Sequence, residues 1–289
     1  MNRRSFLKMI GAGAIPLSAA ACLMAGRPSR RRPNIIFVLI DDMGWRDLGC
    51  YGSEYYETPN IDRLAAKGMQ FSAAYTSGPN CAPTRASLMS GQYTPRHGII
   101  TVGNSDRGAP HLRKLIPQEN KTVLDSAITT IAEAIKPAGY VSASMGKWHL
   151  GNDPGHGPIG QGFDVNVGGY EAGSPRSYFS PYKNPQLKDG PKGEYLPDRL
   201  TDEALKFIEA NRDKPFFLYL PHYAVHTPIR AKKQMIAKYK AKRASNGQGN
   251  PTYAAMIEST DQGVGRIMAK LDELGLTDDT IVIFSSDNG

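Results

Sequence analysis

Four short apolar runs punctuate the chain: Asn34–Ile40, Tyr140–Met145, Phe216–Leu220 and Thr280–Phe284. Each is too short for a typical helix and ends in polar or turn-forming residues, which predicts buried strands. Helical periodicity lies between them. Thr122–Lys136 carries Ile128, Ile131, Ala132 and Ile135 and stops at Pro137 and Gly139. Leu200–Asn211 has Thr201 as an N-cap, with Leu205 and Ile208 on one face. Tyr253–Leu274 repeats Met256, Ile257, Thr260, Val264, Ile267, Met268 and Leu271 before Gly275 closes it. Ala231–Pro251 is basic and polar and reads as a helix fraying into a loop. Strands alternating with helices predict an α/β fold, a mainly parallel sheet sandwiched by helices. Gly151–Pro197 is rich in Gly, Pro, Tyr and Asn without a period, and reads as a long surface excursion of the functional kind.

Open parallel sheets bind ligands beyond the carboxyl ends of their strands. All four predicted strands end in suitable groups. The first runs into Asp41-Asp42, the second into Gly146-Lys147-Trp148-His149, the third into His222 and His226-Thr227-Pro228, and the last into Asp287-Asn288. Asp41, Asp42, Asp287 and Asn288 offer three carboxylates and an amide oxygen, hard ligands that suit Ca²⁺ or Mg²⁺ and not zinc. Lys147 and His149 lie two apart, on one side of an extended segment. His222 and His226 have the spacing of a helical metal pair, but the flanking prolines argue against a helix, so His222 reads as structural or supporting.

One further element carries chemistry. Cys81-Ala82-Pro83-Thr84-Arg85 opens a helix, with Pro83 in its first turn and Gly91 just past its end. Unpaired N–H groups and the helix dipole there favour a thiolate or a docked anion, and Arg85 reaches the same point.

This run resembles the signature of the sulfatase family, C-x-P-x-R followed by small residues and a glycine. Asp41-Asp42, Gly146–Gly151, Gly162-Phe163-Asp164, Asp198–Ala210, His226-Thr227-Pro228 and Ser286–Gly289 resemble the same family in order and spacing, so the likeness covers nearly all of residues 33–289. The resemblance implies an alkaline phosphatase-like fold and a sulfuric-ester hydrolase acting on a sulfated small molecule or glycan. It implies that a formylglycine-generating maturation enzyme oxidises Cys81 to an aldehyde, whose hydrate is the nucleophile. Asp41, Asp42, Asp287, Asn288 and the residue made from Cys81 would then hold one divalent cation, usually Ca²⁺, with Mg²⁺ as the alternative. Arg85 would support the hydrate, His226 protonate the leaving oxygen, Lys147 stabilise its charge, and His149 take a proton from the second hydroxyl.

Charge changes the picture only at the N-terminus. Residues 1–32 hold seven basic side chains and no acid; taking those seven from the chain's 35 leaves 28 basic against 27 acidic residues. The net charge of +8 is therefore mostly the leader's, and no nucleic-acid partner is expected. Arg3-Arg4 ahead of the short apolar run Met9–Leu23 looks like a twin-arginine signal, which predicts the translocase as a partner and a periplasmic or otherwise exported protein. Ala19–Ala21 offers a cleavage site, and Cys22 a weak lipid-anchor site. Only Cys50 and Cys81 follow, so a disulfide framework is excluded; a Cys50–Cys81 bridge is conceivable but would consume the nucleophile.

The domain expectation is an export signal and basic linker over 1–32 and an incomplete N-terminal portion of a sulfatase catalytic domain over 33–289. Gly289 follows directly on two proposed metal ligands, which leads to the expectation of a truncated frame or fragment without the family's C-terminal subdomain, with slow or absent turnover. Two other readings stay open: a phosphonate or phosphate diester hydrolase of the same fold, and an inactive truncated sulfated-glycan-binding protein. Tyr170, Arg176, Tyr178 and Tyr182 either line a sugar subsite or pack an ordinary loop.

Overall fold

The computed structural model describes residues 32–288. The predicted twin-arginine signal and the Cys22 anchor site lie outside the described residues. In chain order the elements are β1 (Asn34–Ile40), α1 (Pro59–Lys67), α2 (Cys81–Ser90), α3 (Thr94–His97), α4 (Ile131–Ile135), β2 (Val141–Met145), β3 (Val165–Val167), α5 (Leu196–Ala210), β4 (Phe216–Pro221), α6 (Lys233–Lys240), α7 (Pro251–Glu273) and β5 (Thr280–Ser286). The strands form one sheet in the order β3-β2-β4-β1-β5, and every pairing is parallel. Leu218 of β4 stands opposite Ile36 of β1 on one side and Ala143 of β2 on the other.

Helices on both faces explain why the strands read as continuous apolar runs. Along β4, Phe216, Leu218 and Leu220 point into a core shared with Leu200 and Ile208 of α5 and Ile257, Val264 and Ile267 of α7. Phe217 and Tyr219 point the other way, into a second core with Ala82, Ala86 and Met89 of α2 and Trp148 and Phe163. This is the expected parallel sheet sandwiched by helices. No helix of the described residues is long and apolar enough to cross a membrane.

Several expectations need correction. The helix predicted over Thr122–Lys136 is only Ile131–Ile135, followed by a tight turn to Ala138. Thr130 and Glu133 form a reciprocal capping box that starts the helix late. Upstream, Leu124 is wholly buried and its N–H bonds the Leu150 carbonyl (2.9 Å), which pulls that stretch off the helical path. The helix predicted from Leu200 begins at Leu196 with Pro197 in its first turn; Thr201 lies inside it, donating to Pro197 O at 2.9 Å, and is not the N-cap. The last helix begins at Pro251, because the Asn250 side chain accepts from the Thr252 and Tyr253 N–H groups. Gly151–Pro197 is not a surface excursion throughout: it contains β3 and buries Phe163, Tyr178, Tyr182 and Leu187. Cys50 and Cys81 are both free thiols, so the conceivable bridge is absent.

Candidate active site

Backbone pairing continues past the strand ends and fixes the acids. Asp287 N–H donates to Ile40 O (3.1 Å), Asp41 N–H to Ala224 O (2.9 Å) and Val225 N–H to Asp41 O (2.8 Å). Asp42 turns left-handed, with φ 60°. That breaks the alternation which would send consecutive side chains to opposite faces. Oxygens of both carboxylates and Cys81 Sγ consequently come within 4.8 Å of one another. Lys147 arrives through Gly146, whose φ is 131° and where an added Cβ would meet Pro221 O at 1.9 Å. Only glycine lets β2 close on β4 there. Cys81 opens α2, and Arg85 follows one turn later on the same face.

Four of these groups form a buried cluster. Asp41, Arg85, Lys147 and Asp287 are each 0% exposed. Arg85 donates Nε and Nη2 to Asp287 Oδ2 at 3.0 and 2.7 Å, Nη2 to Asp41 Oδ1 at 3.4 Å, and Nη1 to the Lys147 carbonyl at 2.8 Å. Lys147 Nζ donates to both Asp41 oxygens, at 2.8 and 2.7 Å. Two cations thus neutralise two carboxylates that burial alone would disfavour. Burial still dominates at Asp41, pushing its carboxyl up to about 7 against the pull of Arg85 and Lys147. At Asp287 burial also raises, but Arg85 and Lys147 outweigh it and hold the group below the usual range. The balance follows the geometry, since Arg85 spends two of its three carboxylate contacts on Asp287.

The remaining groups form a more open rim. Asp42 is 40% exposed at its side chain; it accepts from Asn288 Nδ2, and His226 Nε2 lies 3.5 Å from its Oδ2. His226 Nδ1 sits 2.7 Å from the Thr227 carbonyl, which fixes the ring. Burial raises the Cys81 thiol. Burial, then Lys147 and Arg85, depress the His149 imidazole to about 3, so it is neutral at physiological pH. Its Nδ1 is buried without a hydrogen-bond partner, as is Asn288 Oδ1. The donor set fits a hard divalent cation: the Asp41 and Asp42 carboxylates converge with position 81, Asp287 Oδ1 accepts from the Asp42 N–H beside them, and the neighbouring Asn288 Oδ1 has no partner. Every residue expected at the strand ends is therefore brought to one place, apart from His222. That ring is buried, depressed to about 4 by its burial, and its backbone N–H bonds Leu39 O, a structural role.

Residues 33–289 match a protein-family model described as Sulfatase. The chain belongs to the sulfatase family. It is 37% identical to the N-acetylgalactosamine-6-sulfatase of Rattus norvegicus over 296 aligned residues, 94% of this chain and 52% of that one. Among solved structures it is similar to Ps i-CgsB in complex with k-i-k-neocarrahexaose, with a TM-score of 0.74, 32% identity, and 90% and 59% of the two chains covered. The phosphonate monoester hydrolase of Agrobacterium radiobacter, at 18% identity and a TM-score of 0.62 over 89% of this chain and 62% of that one, shares the fold alone. This sulfatase chain spans about half the length of the curated relatives it matches.

The structure also shows what supports the sulfatase site. Tyr178 donates its hydroxyl to the Tyr223 and His226 carbonyls (2.6 and 2.7 Å) and so pins the His226 turn. It is 1% exposed, like Tyr182, whose hydroxyl donates to Glu194 at 2.7 Å. Both pack the segment and stack on no sugar. His97 was not singled out from the sequence. Its Nε2 lies 2.9 Å from Ser87 Oγ and its Nδ1 accepts from Ile99 N–H, which anchors the far end of α2. A lone histidine after Thr94-Pro95-Arg96 gives no sequence signal of that role. A groove of about 400 Å³ is lined by Phe37, Thr84, Ser87, Tyr93 and Ser286, and includes none of the expected site residues.

Proposed function

We propose that this chain hydrolyses sulfate esters of carbohydrates, using formylglycine made from Cys81 by a maturation enzyme and one divalent cation, Ca²⁺ or Mg²⁺. The observation that carries the reading is Cys81 Sγ at a helix N-terminus, within 4.8 Å of the Asp41 and Asp42 carboxylates. The rat relative's name, and the sulfated-carbohydrate specificity it states, support the substrate class.

When bound, the cation held by Asp41, Asp42, Asp287 and Asn288 would make a hydroxyl at position 81 more acidic and polarise a sulfate oxygen. Arg85 and Lys147 hold the inner carboxylates in place and offset their charge. His226, on the open rim, donates a proton through Nε2 to the leaving alcohol oxygen. His149 is a neutral imidazole beside the nucleophile and accepts the proton that must leave position 81. Its depressed basicity rises once the anionic substrate is beside it, since a nearby negative charge favours the imidazolium. We further propose export by the twin-arginine route, on the strength of Arg3-Arg4 and the apolar run behind them.

The test is mass spectrometry of the tryptic peptide Gly68–Arg85 from protein made in its own host, together with sulfate release from an aryl sulfate and a sulfated N-acetylhexosamine. An aldehyde at position 81 with sulfate release supports the proposal. Faster turnover of an aryl phosphate diester would favour the phosphonate and phosphate diester reading. An intact thiol with glycan retention and no sulfate release would replace it with a binding protein.

A further inference from the structure

The turn that carries Asp42 is held from two sides. From β5, Asp287 Oδ1 accepts the Asp42 N–H and Ser286 Oγ accepts the Met43 N–H, each at 3.2 Å. The second hold comes from α7, which takes no part in the chemistry of the strand ends. Tyr253 stands in the first turn of that helix, where its N–H bonds the Asn250 side chain at 3.1 Å, and its ring meets Tyr56 edge-on at 5.4 Å between centroids. Its hydroxyl donates to Asp47 Oδ2 at 2.6 Å and touches Asp42 O at 3.5 Å. The same Asp47 oxygen accepts the Gly44 N–H at 3.0 Å, and the Asp47 N–H returns to Gly44 O at 3.0 Å. A Cβ added to Gly44 would sit 2.9 Å from that oxygen, so glycine lets the carboxylate close on the turn. Asp47 Oδ1 takes a third donor, Gln248 Nε2, at 3.2 Å. Gln248 lies just ahead of α7, also donates to Arg46 O at 3.1 Å and accepts from Ser53 Oγ at 2.8 Å.

Asp42 needs such a frame. Its φ of 60° lies in the left-handed region, which a residue other than glycine keeps only where its surroundings over-determine it. That conformation brings the Asp42 carboxylate to Asp41 and position 81. Asp47 itself already serves three donors, so its charge is spent on the turn and not on the converging group. We propose that Asp47 and Tyr253 are positioning residues for the cation: hydroxyl, carboxylate and Gly44 N–H form one chain of bonds from α7 to the Asp42 turn, and cutting that chain weakens cation binding to the folded protein. The proposal rests on the sulfatase reading above.

The test is calorimetric titration of Ca²⁺ into cation-free protein, at a temperature where every variant is folded. Tyr253→Phe and Asp47→Ala should each bind about tenfold more weakly than the parent, the usual scale for a residue that orients a metal ligand. Asp47→Asn keeps an acceptor oxygen and should recover part of the loss. The double variant Asp47→Ala/Tyr253→Phe should bind no worse than Asp47→Ala alone, since both act through one bond. Tyr182→Phe is the control. It removes a comparable tyrosine–carboxylate bond, to Glu194 at 2.7 Å, and should lower Tm while leaving the Ca²⁺ affinity unchanged. Unchanged affinity in Tyr253→Phe, additive losses in the double variant, or an equal loss in Tyr182→Phe would overturn the proposal. If the parent takes up neither Ca²⁺ nor Mg²⁺, the cation reading fails instead. Hydrogen exchange of a peptide spanning Asp42–Gly44 then decides the brace alone: about tenfold faster exchange in Tyr253→Phe but not in Tyr182→Phe supports it, and unchanged exchange refutes it.

Discussion

The inner cluster and the outer rim of the site use the same residue types to different ends. Inside, Asp41, Arg85, Lys147 and Asp287 are fully buried and satisfy one another. At the rim, Asp42 and His226 keep 40% and 23% of their side-chain exposure and meet only at 3.5 Å. The inner charges hold strand ends and α2 together, so they belong to the fold as much as to the chemistry. The rim charges are nearly free of structural duty and remain available to a cation and a leaving group. One expectation follows: substitution inside damages stability, whereas substitution at the rim damages function and leaves the fold intact.

The largest effect should come from Arg85→Met. It leaves Asp287 and Asp41 buried without their guanidinium, and losing one partner of a buried pair costs about 3–5 kcal/mol. Urea unfolding of the cation-free protein measures it, and a loss below about 1 kcal/mol would dissolve the distinction between cluster and rim. Lys147→Met should cost less, about 1–3 kcal/mol. Lys147 bonds Asp41 alone, and Asp41 is already pushed to about 7, so taking up a proton relieves most of the loss. The same unfolding curves at pH 6 and pH 8 sharpen the point, because the variant should be hurt more at the higher pH.

A smaller effect is expected in the pH dependence of cation binding. The Asp41 carboxyl rises from 3.8 to about 7 in the fold. A raised carboxylate value stabilises the cation-free protein most at low pH, and that contribution fades as pH climbs through 7. A cation needs the ionised form, so its affinity should rise about tenfold between pH 6 and pH 8, with proton release. Calorimetry of Ca²⁺ binding in two buffers of different ionisation enthalpy detects that proton. A flat affinity would mean Asp41 is ionised throughout, held by Lys147 as firmly as Asp287 is by Arg85.

The strand ends of this site were readable in advance because a parallel sheet buries both faces and leaves polar groups only where the chain exits it. Asn34–Ile40 is found as predicted, and the acids beyond it needed no further signal. The signature Cys81–Arg85 carried its own helix boundary, with Pro83 in the first turn and Gly91 in a left-handed conformation of φ 65°. What stayed hidden depends on contacts distant in sequence. Nothing local distinguishes Tyr178, which pins the His226 turn, from Tyr170, whose hydroxyl is left over. Val165–Val167 is too short to show alternation, and its pairing with Ala143–Met145 makes it a strand. Leu124 broke the predicted helix because the second core had room for it.

The smallest change in stability, and the cleanest separation of the two regions, is expected from Asp42→Asn. The side chain is part-exposed, and its contacts are one amide donor and a histidine at the edge of contact. An asparagine keeps the volume and an acceptor oxygen, so unfolding without cation should shift by less than about 0.5 kcal/mol. The substitution nevertheless removes one of three carboxylates from the proposed cation set, and ligand charge dominates the affinity of hard oxygen sites. The rise in Tm that Ca²⁺ produces in the parent, a direct measure of binding to the folded state, should therefore be mostly lost. An undiminished Ca²⁺ shift would place the cation wholly among the inner carboxylates. The rim would then serve the leaving group alone, and the division of labour would lie between His226 and everything behind it.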